Sequence, residues 1–310
     1  MGRALHARPD ASAPRRRRAG RAAPPQGPRR GAARGGGLVT RTAPVAGGEA
    51  LVVPRRYGAA LAALATAQKS SSGAPAYSRF VNRRLGRWAA AAAWVVGATP
   101  NQVTALSAVC TFAGIALVAA LPSGLLVAAA VVLLLVVGYA LDSADGQLAR
   151  LRGGGSPAGE WLDHVIDATK IAVLHLAVFA SWLREPEGRE AILALPLVYQ
   201  AVATVAFFAI VLTEQLRRAD SVRRGSPTVV RPRTGALYSL AVVPTDYGLL
   251  CLAFLLLAWS PAFTVVYVAL LVANTAYLAL ALPKWFRELA ALPRTASALT
   301  TTAPAQGGDS

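Results

Sequence analysis

The chain has 310 residues, of which 55% are hydrophobic, and its formal net charge is +17 at pH 7. A mean hydropathy of +0.44 argues against a soluble enzyme and indicates a protein that crosses the membrane several times and carries basic extramembrane segments. The two cysteines, Cys110 and Cys251, each lie in an apolar run, which argues against a disulfide framework and against a zinc site.

Residues 1–75 are rich in Arg, Pro, Gly and Ala and contain almost no acidic side chains. Such a composition buries too little apolar surface to fold alone, so we predict a disordered basic tail. Three interpretations stay open: a solvated tail, a segment that attaches to an anionic surface, either lipid or nucleic acid, or a transit peptide. The many prolines and glycines disfavour the amphipathic helix that a transit peptide needs. We expect membrane lipids among the partners and no nucleic acid.

Apolar residues alternate with arginines from Tyr77 to Trp88, which gives one apolar and one basic face at helical spacing. This pattern predicts an amphipathic helix that lies in the membrane interface before the first span. The alternative is a basic connector without fixed structure.

Six apolar segments follow, and most are near the length of about 20 residues that a membrane-spanning helix needs. The first has a marked start, because Thr99 suits an N-cap, Pro100 the first helical position, and Gln102 the third position of a capping box. We therefore predict an all-α polytopic membrane domain over residues 76–290 and a disordered C-terminal tail over residues 291–310. The predicted spans are residues 99–120, 125–139, 161–182, 192–213, 242–259 and 262–282.

Arginines concentrate in the loops after the second and fourth predicted spans and after the sixth. The positive-inside rule therefore predicts that both termini and the loop between spans two and three face the cytoplasm. The preference for Arg over Lys and the abundance of Ala and Gly are compatible with a GC-rich genome, which favours a bacterial plasma membrane.

Four aspartates flank the loop between spans two and three. Asp142 and Asp145 are three residues apart and Asp163 and Asp167 four apart, so on helices each pair projects from one face. Each carboxylate costs roughly 2.5–3.5 kcal/mol inside a membrane, so a cationic partner is expected. Oxygen ligands in this number suit two divalent metal ions.

The residues around these aspartates suit a phosphate-bearing ligand. Gly146 and Ala149 leave little side-chain bulk beside Asp145, and Arg150 carries the planar fork of donors that pairs with phosphate oxygens.

The whole pattern is D-x2-D-G-x2-A-R-x8-G-x3-D-x3-D, and it is met at every fixed position by Asp142, Asp145, Gly146, Ala149, Arg150, Gly159, Asp163 and Asp167. This pattern resembles the CDP-alcohol phosphatidyltransferase family. The resemblance implies transfer of a phosphatidyl-type group from a CDP-linked lipid such as CDP-diacylglycerol to a polar alcohol, with release of CMP, in phospholipid biosynthesis. It also implies six spans, and members of the family often form homodimers, although no motif here requires one.

The resemblance also implies residue roles. Asp142, Asp145 and Asp163 would be metal ligands, and Asp167 both a ligand and the general base, with two Mg²⁺ or Mn²⁺ ions as cofactors. Contacts to the CDP-linked lipid would come from Asn101, Gln102, Val103, Thr104, Gly146, Ala149, Arg150 and Ser156.

The sequence contains weaker indications of which residues bind the acceptor alcohol. Arg217, Arg218 and Arg223 follow the fourth span and would bind the phosphate of an acceptor such as inositol phosphate or glycerol phosphate. The alternative is that they set topology and contact anionic lipid.

We interpret Asp246 as a helix-start residue. His164 and His175 are interpreted as packing residues, because neither is expected to share the face of Asp163 and Asp167.

Two other function classes remain. An intramembrane prenyltransferase also binds a diphosphate through Mg²⁺ and aspartates, but it needs two separate acidic motifs, and this chain has one. An ion transporter uses carboxylates near the middle of the membrane, whereas these aspartates border a glycine-rich loop at the ends of spans.

Overall fold

The computed structural model describes residues 42–45, 48–66, 75–186, 188–225 and 243–292. A short antiparallel hairpin of β1 (Thr42–Val45) and β2 (Gly48–Val52) precedes eight α-helices in these ranges. The predicted all-α membrane protein is therefore confirmed, with the hairpin as an addition at its N-terminal side. The helices are α1 (Tyr57–Thr66), α2 (Arg83–Val96), α3 (Pro100–Ala120), α4 (Leu125–Leu151), α5 (Pro157–Arg184), α6 (Leu195–Arg224), α7 (Tyr247–Ala253) and α8 (Ser260–Ala290).

Five of these helices, α3, α4, α5, α6 and α8, are long and apolar enough to cross a membrane. They also turn large apolar side chains outward: Leu126 is 87% exposed, Phe208 65% and Leu280 77%. Apolar side chains on the outside of long helices are suited to contact with lipid rather than water. The chain is an integral membrane protein.

The predicted fifth span, residues 242–259, is shorter than expected. It consists of a 3₁₀ turn (Val243–Thr245), α7, and a second 3₁₀ segment (Phe254–Ala258). The part from Tyr247 to Ala258 rises about 20 Å, which is less than the hydrocarbon core of about 30 Å. The six-span prediction is not confirmed, and residues 226–242 lie outside the described ranges. Asp246 does start a helix, because its Oδ1 accepts the Gly248 N–H at 3.0 Å.

Other helices extend past their predicted ends. Helix α4 continues through the first aspartate pair to Leu151, α6 continues to Arg224, and α8 continues through Pro283 to Ala290. Hydropathy marks where the apolar segment stops, whereas the backbone hydrogen bonds of a helix continue into polar sequence. The ion pair between Arg224 and Asp220, one turn apart, supports the last turn of α6.

The region before the first span is more ordered than the sequence indicated. The helix predicted around Tyr77 to Trp88 exists as a π-helical turn (Ser78–Asn82) followed by α2. Helix α1 lies inside the range 1–75 that was predicted to be disordered. Its Ala60 and Leu64 are buried against Ala90 and Trp94 of α2, which explains why this segment folds when its composition alone does not require it. Of the predicted tails, 1–75 and 291–310, residues 1–41, 46–47, 67–74 and 293–310 lie outside the described residues.

The packing of α3 positions the ends of the next two helices. It packs along both α4 and α5, while α5 packs against α6 and α6 against α8. Close approach of α3 and α4 depends on Gly138, whose carbonyl accepts a hydrogen bond from Ser107 Oγ at 2.8 Å. A Cβ at Gly138 would lie 2.2 Å from Thr111 Oγ1, so only glycine fits this crossing.

Candidate active site

The two aspartate pairs lie on facing helix ends, Asp142 and Asp145 on α4 and Asp163 and Asp167 on α5. One side chain joins them: Lys170 Nζ lies 2.7 Å from Asp142 Oδ1 and 2.6 Å from Asp167 Oδ1. Lys170 is only 6% exposed, so this double ion pair is largely removed from water. The two pairs therefore converge, as the sequence pattern requires.

The first turn of α3 reaches the same place. Thr99 and Gln102 form the predicted capping box, with the Thr99 N–H donating to Gln102 Oε1 at 2.8 Å and the Gln102 N–H donating to Thr99 Oγ1 at 3.2 Å. One turn further on, Thr104 donates its hydroxyl to Asp145 Oδ2. Asp145 is 7% exposed, so this hydrogen bond satisfies a buried carboxylate.

A cavity of about 490 Å³ lies between these helix ends. The glycine-rich loop forms one side of it, and Gly153 and Gly154 adopt φ of 97° and 127°, which only glycine does readily. Ser156 then caps α5 by accepting the Gly159 N–H at 3.0 Å. The cavity is lined by Thr99, Pro100, Asn101, Thr104, Asp145, Gly146, Ala149, Arg152, Gly154, Gly155, Ser156, Gly159, Glu160 and Asp163.

The family model for CDP-alcohol phosphatidyltransferases matches residues 97–282, more than half of the chain. The chain belongs to the CDP-alcohol phosphatidyltransferase family. It is therefore a membrane-bound transferase that moves a phosphatidyl group from a CDP-alcohol to an alcohol in phospholipid biosynthesis. A search of the curated proteins found no match. Family membership decides against the prenyltransferase and the ion transporter.

Enzymes of this family generally use a divalent metal ion, and this phosphatidyltransferase has residues that suit one. Single ligand atoms of Asp163, His164 and Asp167 all lie within 4.8 Å of one another. Carboxylate oxygens are the ligands that Mg²⁺ and Mn²⁺ prefer, so the donor set fits such an ion.

The interpretation of His164 as a residue off this face was wrong. His164 and Asp167 are three residues apart on α5, so they share a helix face, and the imidazole lies beside the carboxylates. His175 is a packing residue as predicted: it is buried, its Nδ1 lies 2.7 Å from Tyr267 Oη, and its ring stacks on Tyr199.

Three of the predicted lipid-donor contacts lie outside the cavity of the phosphatidyltransferase. Gln102 is used in the capping box, and Val103 is buried in an apolar cluster with Ala144 and Leu148. Arg150 is exposed, with its Nη1 3.6 Å from the position that a Cβ on Gly146 would take. The other five, Asn101, Thr104, Gly146, Ala149 and Ser156, line the cavity.

The sequence reasoning missed two cations. Arg152, which it used only for topology, lines the cavity and donates through Nη2 to the Gly97 carbonyl at 3.1 Å and the Ala98 carbonyl at 2.6 Å. Its guanidinium also lies 5.7 Å from the centre of the Trp94 ring. Lys170 was not considered as a partner of the aspartates. The sequence feature that could have identified it is the presence of a lysine within an apolar helix, three residues after Asp167.

The three arginines predicted to bind the acceptor lie on the last turns of α6. Arg218 Nη1 lies 2.5 Å from Glu160 Oε1, and Gln215 Nε2 lies 3.2 Å from the same oxygen. Because Glu160 lines the cavity, Arg218 is at its rim. Arg217 pairs instead with Glu288 of α8, and Arg223 is exposed near the end of α6.

Proposed function

We propose that this enzyme transfers the phosphatidyl group of CDP-diacylglycerol to a phosphorylated polyol, such as inositol phosphate or glycerol phosphate, and releases CMP. The observation that carries the proposal is a cavity with carboxylates on its walls and an arginine at its rim. The carboxylates suit the diphosphate end of the donor with its divalent ions, and the arginine suits a second phosphate, on the acceptor.

The cavity supports the donor half of the proposal. Its volume of about 490 Å³ is in the range of small-molecule sites, which is about 300–1,000 Å³. Gly146 and Ala149 present little bulk on the α4 side, so a flat head group can approach the helix backbone. The first turns of α3 and α5 both open into the cavity, and helix N-termini favour anionic or carbonyl-bearing groups.

Asp142, Asp145, Asp163 and Asp167 are the residues we propose to hold two divalent ions, Mg²⁺ or Mn²⁺. When bound, such ions neutralise the phosphate oxygens of the donor and the leaving CMP. The chain fixes the ligands beforehand, because Thr104 holds the Asp145 carboxylate and Lys170 holds one oxygen each of Asp142 and Asp167.

The transfer exchanges one bond for another at phosphorus. The acceptor oxygen bonds to the phosphorus that carries the lipid alcohol, and the bond from that phosphorus to the bridging oxygen breaks, so CMP leaves with the bridging oxygen. We propose that Asp167 accepts the hydroxyl proton. We also propose that Arg150, which lies outside the cavity but beside its lining residue Gly146, turns toward the cavity to bind the diphosphate.

Arg218 is the residue that best supports a phosphorylated acceptor. It is half exposed and pairs with two exposed carboxylates, Glu160 on α5 and Glu214 one turn earlier on α6. Exposed pairs of this kind contribute only about 0–1 kcal/mol each, so a phosphate dianion can compete with both glutamates for the guanidinium. Arg223 lies further along the same helix. Arg217 would have to break its ion pair with Glu288 before it could bind an acceptor phosphate. The distribution of arginines between the loops supports a cytoplasmic active site, where CMP would be released into the cytosol. The preference for Arg over Lys supports a bacterial plasma membrane.

The test uses the full-length protein in detergent with CDP-diacylglycerol and Mg²⁺ or Mn²⁺. CMP release is measured with inositol phosphate, glycerol phosphate, inositol, glycerol and serine as separate acceptors. We expect release with a phosphorylated polyol and loss of release in Asp167→Asn. Arg218→Gln should raise the acceptor KM by about tenfold, the loss expected for one charge-assisted contact. Arg224→Gln is the matched control, since Arg224 pairs with Asp220 on the same helix. Reaction with unphosphorylated alcohols alone would overturn the proposed acceptor class.

A further inference from the structure

Lys170 is the central cation of the aspartate cluster, and the proposed transfer assigns it no bond-making or proton-transfer step. Its ammonium contacts one oxygen of Asp142 on α4 and one of Asp167 on α5, and its side chain is 7% exposed against 21% for Asp142 and 28% for Asp167. The lysine therefore lies on the inner side of the carboxylates, away from water.

This burial needs a reason, because an ammonium without partners is costly to remove from water. Here the pairing is mutual. Asp142 and Asp167 are close enough to repel each other, and Asp163 adds to the negative potential at Asp142. One ammonium between the first two carboxylates removes most of that repulsion and holds the ends of α4 and α5 in register.

We propose that Lys170 is a positioning residue that acts as an internal cation: it holds Asp142 and Asp167 together when no divalent ion is bound, and a divalent ion competes with it for these carboxylates. The inference rests on the proposed metal site and adds a property of this chain. The site is assembled before metal arrives, and the incoming ion meets a positive charge already in contact with two of its ligands.

Competition has a measurable consequence. A ligand that binds only the folded state stabilises it by an amount that grows with its affinity. If Lys170 competes with the metal ion, removing its ammonium should lower the stability of the metal-free protein and raise the affinity of the protein for the metal ion. A lysine that only fills space would lower stability equally with and without metal.

The experiment is thermal unfolding of the full-length protein in detergent, without substrate, in EDTA and across a Mn²⁺ titration. We expect Lys170→Met to unfold at a lower temperature than the parent protein in EDTA. Mn²⁺ should then raise its unfolding temperature by more than it raises that of the parent, with a midpoint concentration at least about tenfold lower. Mn²⁺ bound at equilibrium, measured by electron paramagnetic resonance, should show the same shift.

Lys284→Met is the matched control, because Lys284 Nζ lies 3.6 Å from Glu288 on α8 and, within the described residues, forms no ion pair with the four aspartates of the site. It should respond to Mn²⁺ as the parent does. If Lys170→Met does not fold in EDTA, the double variant Lys170→Met with Asp142→Asn decides the question. Removing one carboxylate relieves the repulsion, so this variant should recover most of the lost stability, which a packing defect would not do.

An equal response to Mn²⁺ in Lys170→Met and in the parent overturns the inference, as does the absence of any response in both or a failure of Asp142→Asn to rescue. The result is separable from the proposed function. If the parent protein releases CMP but Lys170→Met responds to Mn²⁺ as the parent does, only the role of Lys170 is refuted. If the expected Mn²⁺ shifts are seen but the parent releases no CMP, the proposed reaction is refuted and the role of Lys170 stands.

Discussion

The hydroxyl of Thr104 donates a hydrogen bond to the carboxylate of Asp145, 41 positions further along the chain. This contact ties the first turn of α3 to the aspartate pair of α4 and satisfies a buried charge. It also sets the orientation of the Asp145 carboxylate toward the cavity that both residues line.

Thr104→Val keeps the shape of the side chain and removes the donor. A hydrogen bond to a charged group contributes about 1.5–3 kcal/mol, so we expect kcat/KM for the CDP-linked donor to fall by roughly ten- to a hundredfold. Steady-state kinetics of CMP release measure this. Thr111→Val is the matched control, two turns along the same helix, because the buried Thr111 hydroxyl has no hydrogen-bond partner among the described residues. Equal losses in the two variants would show that the Thr104 hydroxyl has no special role.

Two glycines of α4 should respond differently to the same substitution. Gly138→Ala places a Cβ 2.2 Å from Thr111 Oγ1, so we expect destabilisation of about 1–3 kcal/mol. Gly146→Ala meets nothing nearer than 3.6 Å, so stability should be unchanged while the added methyl narrows the cavity and raises the donor KM. Thermal unfolding and donor titrations separate the two effects. Loss of stability in Gly146→Ala without a change in KM would contradict the assignment of this face to the donor.

Arg152→Gln should affect donor binding more than turnover. The guanidinium ties the end of α4 to the Gly97 and Ala98 carbonyls just before Thr99 and so fixes the entrance of the cavity. We expect the donor KM to rise about tenfold with a smaller change in kcat. Arg79→Gln is the comparison, since Arg79 also lies over an aromatic ring but that ring, Phe80, is exposed. A fall in kcat alone would exclude this role for Arg152.

Metal removal should abolish CMP release, and Mg²⁺ or Mn²⁺ should restore it. Asp163→Asn leaves a weaker ligand in the cluster with His164 and Asp167, so it should need at least about tenfold more metal for half-maximal rate. Glu288→Gln alters a carboxylate outside the cavity and should keep the metal requirement of the parent. Full activity of the parent in excess EDTA would refute metal dependence.

The features that were predicted correctly from the sequence depend on residues close together in the chain. The Thr99 capping box, the glycine-rich break before Ser156 and the spacing of the aspartates all depend on neighbours within a few positions, and the structure contains each of them. The same spacing led to the family, which the match over residues 97–282 confirms. Periodicity alone predicted that each aspartate pair projects from one face of a helix, and the structure brings the two faces together.

The failures involve contacts between distant segments. Nothing near Lys170 in the sequence shows that its ammonium reaches Asp142, 28 positions earlier, because the pairing exists only once α3 has packed against both α4 and α5. The order of α1 likewise depends on Ala90 and Trp94, which complete an apolar surface that its own composition cannot bury. The length of the fifth span was misjudged for a third reason: its predicted bounds were taken from hydropathy, which includes the residues before Asp246, although Asp246 was itself predicted to start a helix.

Helix α3 is both a membrane crossing and a wall of the cavity. Its 21 residues form a rod about 32 Å long whose first turn carries Asn101 and Thr104. A thinner or thicker bilayer is accommodated by tilting such helices. Because Asn101 lies beside Gly159 and Thr104 beside Asp145, we expect a change in the tilt of this rod to alter the geometry of the cavity, and therefore expect activity to depend on the lipids around the enzyme.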